Sequence, residues 1–284
     1  MEYEQIPFFS IVTISFNQGS FLENCIKSVI NQSFKSFEYI IQDPGSIDNS
    51  RKILKKYLND SRIKIFFEKD FSPGDGLNKG FSKAKGLYYL FINADDELCS
   101  DALEILYRTI TNNPGFDVYS GTAMIIDKKG KTLRYTYSDQ MNLKRASFGS
   151  CIVVQQATCF KSFIFKKVGG FNKKNFISWD GELFIDFAIS SAKFKVFNKV
   201  IGKYRVTDKS ITGSGLAMST GIKNAKEMYF KIRKRKPSKF YILIHLFYRL
   251  QRKILNYRDT FQRIIYGKIS GRYGKRRFMK NINL

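Results

Sequence analysis

Gly86-Leu-Tyr-Tyr-Leu-Phe-Ile-Asn-Ala-Asp-Asp-Glu97 decides how the chain is read. Tyr88 to Ile92 is a short apolar run, too short for a helix and rich in aromatic residues. It predicts a strand buried on both faces of a parallel sheet. The run stops at Asn93, and Asp95 and Asp96 follow at once. In an open α/β sheet, ligands bind beyond the carboxyl ends of the strands. Adjacent carboxylates there offer hard oxygen ligands to Mg²⁺ or Mn²⁺, and such an ion bridges a diphosphate. The competing reading is that the two acids only open the next helix, where Asp is favoured at the N-cap and in the first turn.

The segments before this stretch alternate between the two periodicities. Phe8 to Phe16 predicts a first strand, and Ser20 a cap for a helix with Phe21, Leu22, Cys25, Ile26, Val29 and Ile30 on one face. Phe37 to Gln42 predicts a second strand. The turn Asp43 to Ser50 leads into a helix that buries Ile53, Leu54, Tyr57 and Leu58. Ile63 to Phe67 predicts a third strand, Ser72-Pro-Gly-Asp-Gly76 a loop, and Leu77 to Ala84 a short helix. This order predicts an α/β fold with a mainly parallel central sheet and flanking helices. No Gly-x-Gly-x-x-Gly or Gly-Lys-Ser/Thr follows a strand, which argues against a dinucleotide fingerprint or a P-loop.

Beyond Asp101 the pattern predicts a helix to about Asn112 and a hairpin of Val118–Ile126 with Thr132–Tyr137. An extended stretch follows at Cys151–Phe160, then a short helix from Phe163 to Val168 closed by Gly169-Gly170. Trp179 to Ala192 reads as a helix with Asp180 at its start, and Phe194 to Tyr204 as a last strand or pair of strands. Thr207 to Ser219 is polar and glycine-bearing, a loop or lid.

The bulk composition narrows the function. Four cysteines without metal-ligand spacing and one histidine, His245, argue against a zinc site or a Ser-His-Asp triad. The thiols are expected to be buried and reduced, as in a cytosolic protein. Met1 to Gln5 lacks the features of a signal peptide. The net charge is +25, and nineteen of the 49 basic residues lie after Gly221, opposed there only by Glu227 and Asp259. Such asymmetry points to nucleic acid or an anionic membrane surface. In the same segment Phe240, Leu243, Phe247, Leu250, Ile254, Tyr257, Phe261 and Ile264 recur at helical spacing and predict one long basic amphipathic helix. Residues 1–220 are therefore expected to form the α/β domain and 221–284 a basic amphipathic helical tail. Gly271 to Leu284 is expected to fray.

Several segments, in order over roughly residues 8 to 215, resemble a family 2 glycosyltransferase of the GT-A fold. They are Ser10 to Asn17, Ser28 to Ser33, Gln42 to Ser50, Gly74 to Gly80 and Asn93-Ala-Asp-Asp96. Gln156 to Phe160, Val168 to Phe171 and Trp179 to Leu183 follow, with a weaker match at Tyr204-Arg-Val206 and Ser210 to Thr212. The resemblance implies an inverting, metal-dependent transferase that uses a nucleotide diphosphate sugar. Its acceptor would be a saccharide, lipid-linked as in cell-surface polysaccharide or lipopolysaccharide synthesis, and its place the inner face of the cell membrane. It assigns donor binding to Asn17, Asp43, Asp75, Asn78, Lys79 and Asp95. It gives Mn²⁺ or Mg²⁺ to Asp96 with Asp95, and makes Asp180 the catalytic base. Gln156, Trp179 and Glu182 are implied on the acceptor side, with Trp179 a sugar-stacking platform or a core residue. Gln155 departs from the family pattern, which often has His there. The tail lies outside the resemblance. It is expected to lie in the plane of an anionic membrane, with packing on the catalytic domain or pairing with a second copy as alternatives. No nucleic-acid-binding module is present, so nucleic acid is not the expected partner. An inactive partner subunit is the other alternative, and the acids at the expected positions argue against it.

Overall fold

The computed structural model describes residues 6–208, 210–214 and 221–267. Met1 to Gln5, the expected frayed end from Gly271, and Lys209 and 215–219 of the expected lid lie outside the described residues. The first half alternates as the periodicities require. Strands β1 (Phe9–Ile14), β2 (Phe37–Gln42), β3 (Ile63–Phe66) and β4 (Tyr88–Phe91) are separated by helices α1 (Leu22–Ile30), α2 (Ser50–Lys55) and α3 (Pro73–Ser82). The four strands pair in parallel in the order β3-β2-β1-β4. Alternation of side chains divides the core in two. Phe9, Ile11, Tyr39 and Ile41 face α1 and the helix α4 (Ala102–Thr111), whereas Val12, Ile40, Tyr89 and Phe91 face α3 and later helices.

Past β4 the sheet is mixed. Next in sequence are β5 (Glu97–Leu98), β6 (Val118–Ile126), β7 (Thr132–Tyr137), β8 (Thr158–Lys161) and β9 (Phe194–Arg205). The sheet continues β4-β8-β6-β9-β5, with β7 paired to β6 beyond the end of the β8 pairing. The β6–β9 pair is parallel, while β4–β8, β6–β8, β5–β9 and the β6–β7 hairpin are antiparallel. The parallel order holds where helical crossovers join the strands; a hairpin joins its strands antiparallel. Helices α5 (Leu143–Ala146), α6 (Ser162–Val168) and α7 (Trp179–Ile189) complete this half, with Gly169 at φ +79° closing α6.

Three local expectations need correction. Ser20 does not cap α1: Phe21 holds that position without a side-chain bond. Ser72-Pro-Gly-Asp-Gly76 is not a loop but the first turn of α3, because the Ser72 hydroxyl accepts the Asp75 N–H at 3.2 Å and Pro73 takes the first position. Leu58 is exposed, since α2 ends at Lys55.

The C-terminal segment forms three helices after the short α8 (Ile211–Ser214): α9 (Gly221–Arg233), α10 (Tyr241–Leu255) and α11 (Tyr257–Tyr266). The expected single long helix breaks at Asn256. Its side chain leaves the helical register to donate to Asp139 Oδ1 (2.6 Å) and the Tyr137 carbonyl (3.2 Å), and it caps α11 by accepting the Asp259 N–H. The predicted apolar stripe does not pack on the rest of the chain. All eight of its positions are 54% to 75% exposed. The opposite face docks instead. Tyr241 and Tyr248 of that face, with Tyr229 of α9, surround Phe148, with ring centroids 5.2–5.3 Å away, and His245 Nδ1 lies 2.6 Å from the Phe148 carbonyl. Gln262 accepts the Tyr135 N–H of β7, covering part of that edge strand. Among the described residues no helix is long and apolar enough to cross a membrane. The four thiols are free, with Cys25 and Cys159 buried and Cys99 and Cys151 half-buried, so the expectation of burial holds for two of them.

Candidate active site

A cleft of about 870 Å³ opens at the carboxyl end of the parallel strands. Its floor is Asn93-Ala-Asp-Asp96, directly after β4. Its walls come from the end of β1, the β3–α3 loop, Gln155 and Gln156, the start of α7, and Tyr204 with Ser210 to Thr212. Asp95, Asp96 and Asp180 therefore share one cavity.

Asp96 is 1% exposed. Its Oδ1 accepts the Arg205 backbone N–H at 2.8 Å, and its Oδ2 accepts Gln156 Nε2 at 3.0 Å and Asn93 Nδ2 at 3.3 Å. Asp95 is less covered, and its carboxylate makes no ion pair among the described residues. Burial raises both acids above their usual range, and the Asp95 charge raises Asp96 further. Two adjacent acids so disfavoured as a bare anionic pair suit a divalent cation. No cluster of three or more metal-ligating side chains exists among the described residues. Asp95 and Asp96 would hold such an ion with phosphate oxygens and water as its remaining ligands.

Arg205, which sequence reasoning did not single out, holds this corner together. It is 2% exposed. Its Nε donates to the Asp95 carbonyl at 2.8 Å, and its other nitrogens reach the Asp127 and Lys128 carbonyls and Glu97. Its only sequence signal is the Tyr204-Arg-Val206 match. β9 brings it in close because Gly202 lies against the Gln156 carbonyl: a Cβ there would sit 2.1 Å from that oxygen.

Asp180 sits at the N-terminus of α7 and faces the cleft. Burial raises its pKa, partly offset by the Asp180 and Gly181 backbone N–H groups. Glu182, one candidate beside it, points elsewhere. It accepts from Asn172 (3.1 Å), Asn175 (2.7 Å) and Lys231 (2.7 Å) and braces the loop before α7. Burial opposes ionisation of Glu182, but Lys231 and the two asparagines hold its pKa low. Trp179 is only 7% exposed and packs on Phe91 and Phe171, so it is a core residue with one edge on the cleft.

The donor-side candidates separate in the same way. Asp43 is fully buried. Its Oδ1 accepts the Gly45 and Ser46 N–H groups in a local turn, while its Oδ2 is buried with no partner. Pro44 beside it lines the cleft. Asn17, at φ +53°, braces the β1 turn by accepting the Ile47 N–H. Asp75, Asn78 and Lys79 are absent from the cleft wall. Asp75 accepts the Phe71 N–H and pairs with Lys173 at 2.7 Å. Asn78 bonds both the N–H and the carbonyl of Phe171, and Lys79 reaches the Lys69 carbonyl. These three side chains hold wall loops rather than face the cavity. Asp70 does face it, and burial with the nearby Asp75 charge pushes its pKa up to about 6. Its position just after β3 was the available signal. Gln155, in place of the family's frequent His, donates to the Phe91 carbonyl at 2.7 Å.

The glycosyl transferase family 2 model matches residues 10–175. The chain is 29% identical over 202 residues to the Campylobacter jejuni GalNAc(5)-diNAcBac-PP-undecaprenol beta-1,3-glucosyltransferase, covering 68% of this chain and 56% of that protein. It is 32% identical over 178 residues to the cholesterol galactosyltransferase of Borreliella burgdorferi, covering 60% and 46%. The chain thus spans about half the length of these two curated relatives. Among solved structures, S. aureus TarS 1–349 in complex with UDP-GlcNAc superposes with a TM-score of 0.64 at 16% identity, over 90% of this chain and 74% of that one. The mannosyltransferase PcManGT from Pyrobaculum calidifontis, in complex with GDP-Man and Mn²⁺, gives 0.63 at 12% identity, over 89% and 74%. At these identities the structural likeness is one of fold, and that fold is the GT-A arrangement expected from the sequence. With the family model spanning more than half of its length, the chain belongs to glycosyl transferase family 2.

Proposed function

We propose that the protein is an inverting, divalent-metal-dependent glycosyltransferase that moves a sugar from a nucleotide diphosphate sugar to a hydroxyl of a lipid-linked saccharide. The observation that carries this reading is the convergence of Asp95, Asp96 and Asp180 on one cleft at the ends of the parallel strands. Asp95 and Asp96 would hold Mn²⁺ or Mg²⁺, which neutralises charge developing on the diphosphate leaving group. Asp43 Oδ2, buried without a partner, is the group offered to the nucleotide base. Asp180 takes the proton of the attacking hydroxyl, and its raised pKa strengthens it as a base. A single displacement from the face opposite the diphosphate inverts the anomeric centre. Gln156 acts through Asp96, which it holds at 3.0 Å, rather than on the acceptor.

The lipid-linked acceptor is supported by the name of the Campylobacter relative and by the outer face of α10 and α11. That face is apolar and carries Arg249, Lys253 and Arg258. It suits the plane of an anionic bilayer at the inner face of the cell membrane, where each basic residue near the surface adds about 1 kcal/mol. A second copy of the chain pairing through the same face is the alternative occupant.

The test of the chemistry is Asp180→Asn. It should bind the donor like wild type and lose about 10²- to 10⁴-fold in transfer. Full transfer by this variant would remove Asp180 as the base. The test of the surface is flotation with vesicles containing phosphatidylserine. Leu250→Glu with Ile254→Glu should leave the enzyme in the soluble fraction. Unchanged flotation would remove the membrane assignment.

A further inference from the structure

Two aromatic side chains at the cleft mouth remain without a role. Phe71 on the β3–α3 loop is 67% exposed and Phe176 on the loop before α7 is 49% exposed. Both line the cleft. Their rings meet edge to face, with centroids 5.5 Å apart. Isolated exposed apolar residues need no explanation, but a pair from two separate loops that meets over an active-site cavity does.

The loops that carry them are firmly fixed. Asp75 accepts the Phe71 N–H and pairs with Lys173 on the opposite loop, so one carboxylate ties the two segments together. Asn78 bonds both backbone groups of Phe171. Glu182 holds Asn172 and Asn175, and Asn175 in turn accepts the Ile177 and Ser178 N–H groups. Such a frame around two solvent-facing rings serves no purpose in packing, because neither ring belongs to the buried core.

We infer that Phe71 and Phe176 form an aromatic lip that stacks on a pyranose ring of the acceptor saccharide and sets its hydroxyl toward Asp180. The inference rests on the transferase reading. The acceptor, rather than the nucleotide, is the assigned occupant because Phe176 shares its segment with Asp180, four residues on. The nucleotide-base candidate Asp43, with Pro44, belongs to the turn after β2, a different segment from the one that carries Phe176. The C–H face of a pyranose is apolar and flat, and its hydroxyl edge is polar. An exposed, rigid aromatic with two rotatable bonds orients such a ring with little loss of entropy. Trp179 cannot take this part, since it is buried and packs on Phe91 and Phe171.

The test uses the full chain saturated with nucleoside diphosphate and Mn²⁺. The probes are the octyl β-glycosides of glucose, galactose and N-acetylgalactosamine, followed by saturation-transfer NMR. The fluorescence of Trp179, the chain's single tryptophan, reports donor affinity separately. Wild type should bind at least one glycoside. Phe71→Ala with Phe176→Ala should weaken that binding about tenfold and keep the donor Kd within about twofold. Phe71→Tyr should retain binding. The lip is overturned if no glycoside binds wild type, if the double variant binds as wild type does, or if its donor Kd weakens by the same factor. Glycoside binding that depends on both rings in a protein that binds no nucleotide sugar would uphold the lip and sink the transferase reading instead.

Discussion

Replacing Asp259 by Asn tests how the C-terminal helices are held. Asp259 is 1% exposed and sits in the first turn of α11, facing β7. Its carboxylate receives Arg263 Nε at 2.6 Å, Arg252 at 3.1 Å, and Arg134 and Thr136 at 3.4 Å each. The two shorter bonds dominate. Charge-assisted bonds of this kind contribute about 1.5–3 kcal/mol each, and the Arg263 contribution is reduced because its side chain is 39% exposed. Asn keeps the volume and one weak acceptor but leaves the buried Arg134 without its counter-charge. The expected cost is about 3 kcal/mol, at the low end for breaking a buried pair. Asp139 still holds Arg252 and Asn256, so the loss should fall on α11 and β7 rather than on the whole fold. Hydrogen exchange of the α11 and β7 amides, beside a urea titration of the whole chain, measures both. Burial opposes ionisation of Asp259, but the three arginines hold its carboxyl below the usual value. Its contribution is therefore present above about pH 4 and is lost as pH falls through the depressed value. Unchanged α11 protection at neutral pH, or a cost under about 1 kcal/mol, would refute this account of the docking.

Two further substitutions test the cleft. Asp70 has its pKa raised to about 6 by burial and the Asp75 charge. Folding therefore favours its protonated form, and its ionisation costs stability as pH rises from about 4 to above 6. Asp70→Asn should stabilise the protein at pH 8 by about 1 kcal/mol, allowing for its partial exposure, and have little effect at pH 4. Thermal melts at the two pH values decide this, and equal shifts would contradict it. Gly202→Ala would drive a Cβ into the Gln156 carbonyl. It should cost about 2 kcal/mol or more and weaken donor binding through the displaced Gln156–Asp96 bond, as read by urea unfolding and donor titration. A neutral effect on both would show that β9 and the Gln156 backbone yield freely to the added methyl group.

The parallel half of the fold was legible because short β-branched and aromatic runs alternate there with helical spacing. β2 and both hairpin strands have the predicted bounds. The cleft acids Asp95, Asp96 and Asp180 were legible because they stand at element ends in recognisable segments. Side-chain direction was not. Asp75, Asn78, Lys79 and Glu182 sit in matching motifs, yet each turns away to hold a loop, which depends on partners such as Lys173 and Lys231 far off in sequence. The helical stripe after Pro237 was read correctly as one face, but spacing alone does not tell whether that face or its opposite is covered. Here a buried set of charges decides it, pairing Asp139 and Asp259 with Arg134, Arg252 and Arg263. Such a set is invisible to a search for apolar periodicity.

The central claim is that Asp95 and Asp96 bind a metal-bridged nucleotide diphosphate sugar. The most direct measurement is the thermal shift of wild type and Asp96→Ala across a panel of nucleotide sugars, with and without Mn²⁺. The account predicts that one nucleotide class raises the wild-type melting temperature only when Mn²⁺ is present, and that Asp96→Ala, still folded, shows no such shift. A shift that is independent of Mn²⁺, or one that survives in Asp96→Ala, would contradict it.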